Sequence, residues 1–275
     1  MVNNIEKVVT IKVKERKNYN ESVKDLLTSL SFDMVLAQQK VKKILIKPNL
    51  LENVPHPCTT DVECVSAIIN FIKNVNSDIE VVVLEGSGGC ATSKAFKELG
   101  YNELIKKYDV KLLDIDNAQI IKLSNKNALV YKEIYLPEEI FNGFLISVPS
   151  LKDHLITTVT LGMKNLIGLL PEKYYGSYWS YKRSDVHRVG VNNAIVDLNT
   201  YIKIDMVIID GRIGQIGSHL PGGRACNPAK NILIGGYDAF KVDCFGAEIL
   251  GHKWESVSHL SLFNDIIKNN LSKII

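Results

Sequence analysis

Glu80-Val81-Val82-Val83-Leu84-Glu85-Gly86-Ser87-Gly88-Gly89 is the stretch that decides the fold. Its first half is an unbroken β-branched and apolar run, the pattern of a parallel strand buried on both faces. Its second half is a glycine-rich turn that leads into a helix pattern from Ser93 to Leu99. The glycines allow a backbone to approach a ligand closely. Their spacing fits neither the Walker loop nor the dinucleotide fingerprint, so neither ATP nor NAD is assigned. Glu85 and Ser87 are candidate ligand contacts, with a tight strand-to-helix turn as the alternative.

Outward from this unit the same alternation repeats. Residues 5–14 alternate as a half-buried strand, and 21–38 have helical spacing interrupted near Ser31-Phe32-Asp33. Residues 43–47 form a short buried strand, Thr60-Asp61 resembles a helix cap, and Val62 to Ile72 carries a helical apolar stripe. Residues 110–136 suit a hairpin or small subdomain. Gly143–Val148 and Met206–Ile209 read as strands, the latter followed by a long glycine-rich loop; Ile232–Ile234 is the last strand. Residues 157–170 are ambiguous, and Ala194–Ile202, 239–250 and 258–274 are helical. The expectation is α/β: a mostly parallel open sheet flanked by helices in one domain over 1–275, with a small inserted β region at 110–136.

Length and composition agree. A chain of 275 residues with 46% apolar content can build a substantial core, and 23% charge is ordinary. A net charge of +3, without basic runs interleaved with aromatics, gives no reason to expect nucleic acid. No apolar run reaches the ~18 residues of a membrane span. The N-terminus lacks the layout of a signal peptide, so a cytoplasmic location and no membrane partner are expected. Five cysteines, none spaced as Cys-x-x-Cys, argue against a disulfide framework, a zinc ribbon or a built-in iron–sulfur cluster.

Strand ends then direct attention to function, because ligands of open α/β sheets gather outside the carboxyl ends of strands. Lys47 and Asn49 follow Ile44-Leu45-Ile46, where Pro48 ends the ladder. Thr59 and Thr60 precede a helix, where hydroxyls and free amides bind anions; simple capping is the alternative. Lys152 and His154 lie two apart after Phe144–Val148 and share a face if the segment stays extended. Lys164 and Asn165 lie in Thr160-Leu161-Gly162-Met163-Lys164-Asn165, and Asp210 ends Val207-Ile208-Ile209. A lysine near another cation has a lowered pKa and can act as a base, and histidine is poised near neutrality.

These residues suggest an enzyme acting on a carboxylate- or phosphate-bearing small molecule. Lys152 and His154 would move protons, and Asp210 would orient one of them or help hold a metal. Lys47, Asn49, Thr59, Thr60, Glu85, Ser87, Lys164, Asn165 and His187 would bind the substrate. The six histidines form no short metal motif, although a metal held by distant His and Asp residues is an option. Residues 172–188, with Tyr174, Tyr175, Tyr178, Trp179 and Tyr181, suit a lid or an oligomer interface.

Several segments together resemble the prokaryotic family called domain of unknown function 362. They are ILIKPNLL (44–51), the Thr59-Thr60 helix start, SVPSLKDH (147–154), TLGMKNLIGL (160–169), 187–197, IIDGRIG (208–214) and GGYDAFKVDCFGAEILG (235–251). The resemblance implies an α/β fold and a pocket involving Lys47, Asn49, Lys152, His154, Lys164, Asn165 and Asp210. Some members are fused to ferredoxin modules, whose cysteines this chain lacks. That relationship keeps open a redox subunit using a cluster or flavin from a ferredoxin-like partner. A non-catalytic metabolite- or cofactor-binding protein is the third reading. The motifs assign no particular cofactor.

Overall fold

The computed structural model describes residues 7–13, 19–176 and 182–271. The chain begins with β1 (Val9–Lys12), α1 (Tyr19–Ser29), α2 (Phe32–Gln38) and β2 (Lys43–Pro48). It continues through α3 (Val62–Val75), β3 (Glu80–Glu85), α4 (Thr92–Glu98), α5 (Asn102–Tyr108) and β4 (Lys111–Asp114). A hairpin-like pair follows, β5 (Ile120–Ser124) and β6 (Glu133–Pro137), then β7 (Phe144–Val148), β8 (Ser150–His154) and β9 (Thr158–Val159). The remainder is α6 (Leu161–Asn165), α7 (Glu172–Tyr175), α8 (Asp185–Val189), α9 (Val191–Tyr201), β10 (Met206–Ile216), β11 (Arg224–Ala225), β12 (Ile232–Gly236), α10 (Ala239–Ile249) and α11 (Ser258–Leu271).

The main sheet has the order β1-β12-β10-β7-β2-β3-β4. Pairs from β10 through β7, β2 and β3 to β4 are parallel, whereas β12 joins β10, and β1 joins β12, in antiparallel fashion. The architecture is therefore α/β, with a mostly parallel mixed sheet flanked by helices. Alternation divides the sheet's side chains between two cores. Ile44, Ile46, Val81, Val83, Phe144 and Ile146 pack beneath α1 and α3. Leu45, Val82, Leu84, Leu145, Val207 and Ile209 pack beneath α6, α9 and α10. Burying such a side chain fully contributes roughly 1.5–3 kcal/mol.

Local chemistry sets the helix starts as read from the sequence. Asp61 accepts from the Glu63 amide at 3.0 Å and caps α3. Ser31, with φ 52°, separates α1 from α2 where the helical spacing is interrupted. In the ambiguous stretch, β9 is followed directly by the short helix α6.

Two boundaries differ from the sequence reading. The 110–136 region is not one insert: β4 is the edge of the main sheet, and only β5 and β6 form a separate antiparallel pair. Strand β10 does not end near Ile209 but runs on to Ile216 with a bulge between Asp210 and Gln215. Gly211 permits this, because a Cβ there would lie 2.9 Å from both Leu151 and Ile232 on the neighbouring strands.

The strand order reverses at β2. The chain moves outward from β2 to β3 and β4, then returns to the other side of β2 with β7 and β10. The crevice outside the carboxyl ends of β2 and β7 is thus the topological switch point where such sheets hold ligands.

Candidate functional site

A cavity of about 210 Å³ occupies this crevice. It is smaller than the ~300–1,000 Å³ of drug-sized ligand sites and suits a small metabolite. Its lining includes Lys47, Asn49, Glu85, Lys152, His154, Lys164, Asn165 and His187 among the residues singled out from the sequence.

Lys47 and Ser147 are register partners on β2 and β7, and both face the core beneath α6. Asn165 bridges them: its Nδ2 donates to Lys47 O at 3.0 Å and to Ser147 Oγ at 3.1 Å. Its Oδ1 accepts from Asn49 Nδ2 at 3.2 Å. Lys47 is 1% exposed, pairs with Glu85 Oε1 and donates to Pro48 O at 2.9 Å. Glu85 also accepts from the Gly86 and Leu50 amides at 2.8 and 2.7 Å. Burial pulls the Lys47 pKa down while Glu85 opposes that effect. Lys47 is therefore a neutralised strut of the wall. Gly168 covers the pair so closely that a Cβ would lie 2.5 Å from Glu85 Oε1.

Lys152 and Lys164 are different. Lys152 is 1% exposed, and its Nζ donates to the carbonyls of Cys58 and, at 3.4 Å, His219. Burial lowers its pKa to about 8. Lys164 is partly exposed to the cavity, and its Nζ has no hydrogen-bond or carboxylate partner among the described residues. Burial, then the charge of Lys152, lowers its pKa to about 7. Short helix α6 is fixed by Asp243 of α10, which accepts from the Gly162 and Met163 amides at 2.8 and 2.7 Å.

The ring of His154 stacks on His219, centroids 3.6 Å apart. Its Nδ1 accepts from the Ile156 and Thr157 amides at 3.1 and 3.2 Å. Those bonds assign the neutral tautomer that carries its proton on Nε2. Burial, Lys164 and His219 push its pKa far below the usual histidine range. In this tautomer Nδ1 is engaged by the backbone and His154 presents Nε2–H as a hydrogen-bond donor. Burial and the two lysines also pull His219 down to about 3. His187, exposed at the rim, is lowered by burial and Lys164.

Four expected residues lie outside the cavity lining. Asp210 shares the parity of Met206 and Ile208 and so faces the opposite core. Its carboxylate accepts from Tyr19 OH at 3.0 and 2.9 Å and lies 3.4 Å from His56 Nδ1. It orients neither Lys152 nor His154. Thr59 Oγ1 donates to Val54 O and Thr60 Oγ1 to Val148 O, each at 2.6 Å, so these hydroxyls brace a loop. Ser87 Oγ likewise donates to Leu50 O at 2.7 Å.

Sequence reading missed His219, Arg183 and Thr160. His219 sits in the loop after β10, far along the chain from His154, and no local spacing marks it. Arg183 is 3% exposed and fixes the 182–188 segment over the cavity through Ser87 O at 2.6 Å and Asp116 Oδ2 at 2.7 Å. Thr160 Oγ1 and Asn49 Oδ1 are buried without hydrogen-bond partners and belong to residues of the lining. Of the aromatic cluster, Tyr174 stacks on Tyr135 at 4.2 Å and Tyr175 OH accepts from the Tyr135 amide, so both are anchored to β6. Tyr178, Trp179 and Tyr181 lie outside the described residues.

Among the described residues, no group of three or more His, Cys, Asp or Glu is placed to hold a metal ion. Also among them, no helix is long and apolar enough to cross a membrane.

A family model described as "Domain of unknown function (DUF362)" matches residues 44–248. The "Thylakoid-associated protein sll1697" of Synechocystis sp. is 25% identical over 213 residues, covering 76% of this chain. The chain spans 63% of that curated relative's length. No solved structure matches.

Proposed function

The chain belongs to this family of unknown function, and from its pocket we propose an enzyme that binds a small carboxylate or phosphate and moves protons with Lys164. The observation carrying this reading is the pair of lysines, Lys152 and Lys164, that share one cavity without a carboxylate partner among the described residues. Two cations in a shielded site favour an anion strongly, because attraction grows as the effective dielectric falls. Lys152, pinned by two carbonyls, remains the fixed charge. Lys164, titrating near neutrality, is suited to general acid–base work at physiological pH. His154 donates through Nε2 to a substrate oxygen without changing charge.

The test is a panel of small carboxylates and phosphates incubated with the protein in D2O. Exchange and product formation are followed by proton NMR. Lys164→Met should slow turnover by ~10²–10⁴-fold, the usual contribution of a positioned acid or base. Unchanged turnover in that variant removes Lys164 from the mechanism. A stoichiometric ligand that always emerges intact replaces the enzyme with a binding protein.

A further inference from the structure

The acid–base reading of this pocket is the foundation for a narrower one. A lysine becomes a nucleophile when its amine is free of a counter-ion, desolvated by apolar walls and set beside another cation. Lys164 meets all three conditions. No acceptor holds its Nζ among the described residues, Ile167, Val186 and Val191 contribute apolar lining, and Lys152 shares the cavity. The surroundings also match a carbonyl. Thr160 Oγ1, buried and unpartnered, and the Nε2 proton of His154 are donors for a carbonyl oxygen, while the buried, unpartnered Asn49 Oδ1 is an acceptor for the carbinolamine hydroxyl.

We propose that Lys164 forms an imine with a small anionic aldehyde or ketone, so the substrate class is the oxo acids and their phosphate counterparts. The neutral Nζ lone pair makes a bond to the carbonyl carbon. The carbonyl π pair moves onto oxygen, which receives the proton that nitrogen loses. The carbinolamine nitrogen then expels the hydroxyl, which leaves as water with a proton taken up from solvent. A protonated iminium on Lys164 and a still-charged Lys152 remain; one proton is consumed and one positive charge appears on the iminium, so atoms and charge balance. The substrate's carboxylate or phosphate faces the fixed cationic environment, and the iminium can then stabilise a carbanion on the adjacent carbon.

The experiment uses the full chain, glyoxylate and sodium cyanoborohydride at pH 7, read by intact mass and peptide mapping. At that pH Lys164 has on the order of 10³ more free amine than an exposed lysine of pKa ~10.4. A single carboxymethyl group should therefore appear at Lys164 at least ~10²-fold faster than at exposed lysines, allowing for the lower basicity of its nitrogen. Lys164→Arg should lose the fast adduct and keep the slow ones. Oxalate, an anion without a reactive carbonyl, should protect the wild-type protein and thereby test the site even if the variant does not fold. Labelling of Lys164 no faster than surface lysines, or fast labelling at Lys152 instead, overturns the proposal. Calorimetry with oxalate separates the two levels. Oxalate binding that Lys152→Met weakens, with no adduct, refutes the nucleophile and leaves the acid–base reading standing. Binding of neither oxalate nor glyoxylate defeats both.

Discussion

Glu85→Gln tests the wall of the pocket most sharply. It removes the counter-charge of Lys47, whose side chain is 1% exposed, but nearly preserves shape. Breaking a buried ion pair by removing one partner costs about 3–5 kcal/mol, because the remaining charge is uncompensated. The glutamine oxygen can still accept from one of the Gly86 and Leu50 amides, so the lower end, about 3 kcal/mol, is expected. The assay is urea unfolding followed by circular dichroism, on wild type, Glu85→Gln, Lys47→Met and the double variant. The double variant should recover at least about 1 kcal/mol relative to the sum of the singles, since it leaves no lone charge. A loss below about 1 kcal/mol for Glu85→Gln at unchanged slope would show that solvent or another group already compensates Lys47, and the neutralised-strut argument would fail.

Two further outcomes follow from the same geometry. Lys164 and Lys152 titrate at about 7 and 8, below the ordinary lysine value. From those values up to ~10.4 the unfolded chain holds more protons than the folded one, so ligand-free stability gains from these groups as pH rises. The difference in urea midpoint between wild type and Lys164→Met isolates one of them. A difference flat across that window contradicts the depressed pKa. Asp197, 1% exposed, accepts from the Leu129, Val130 and Tyr131 amides at 2.6, 2.8 and 2.8 Å. Asp197→Ala strands three donors at ~1–3 kcal/mol each before relaxation. Hydrogen exchange should accelerate first in 125–131, and uniform protection there would refute the anchoring role.

The sheet was legible because its strands announce themselves. Val81-Val82-Val83 and Ile44-Leu45-Ile46 are buried on both faces, and Pro48 marks where β2 stops. Lys47 and Lys152 could be nominated from strand endings and Lys164 from the Thr160–Asn165 segment, and all three line one cavity. Their division into a paired strut, a pinned cation and an unpartnered amine was not legible, since it depends on Glu85 and on carbonyls of Cys58 and His219. Asp210 misled for a definable reason. The glycines after it resemble a loop, yet Gly211 fits the narrow space between β8 and β12, so the strand continues and parity turns Asp210 toward Tyr19. His154 carries the same lesson at the level of a proton. Its tautomer is fixed by the amides of the following turn, and no side-chain spacing encodes that.

Lys152 and Lys164, which share a cavity without a carboxylate partner among the described residues, also make the medium part of the fold's thermodynamics. Gathering two ammonium groups in one shielded site penalises the native state, and a fitting anion would relieve that penalty. An anion at 100 times its dissociation constant would add about 2.7 kcal/mol of stability by mass action alone. On this reading, phosphate, sulfate or acetate in a preparation acts as an unrecorded ligand. Melting temperatures taken in different buffers then measure occupancy as much as architecture. In a cell, the lifetime of the chain would follow the size of its metabolite pool, so supply of substrate would set how much of the protein survives as well as how fast it works.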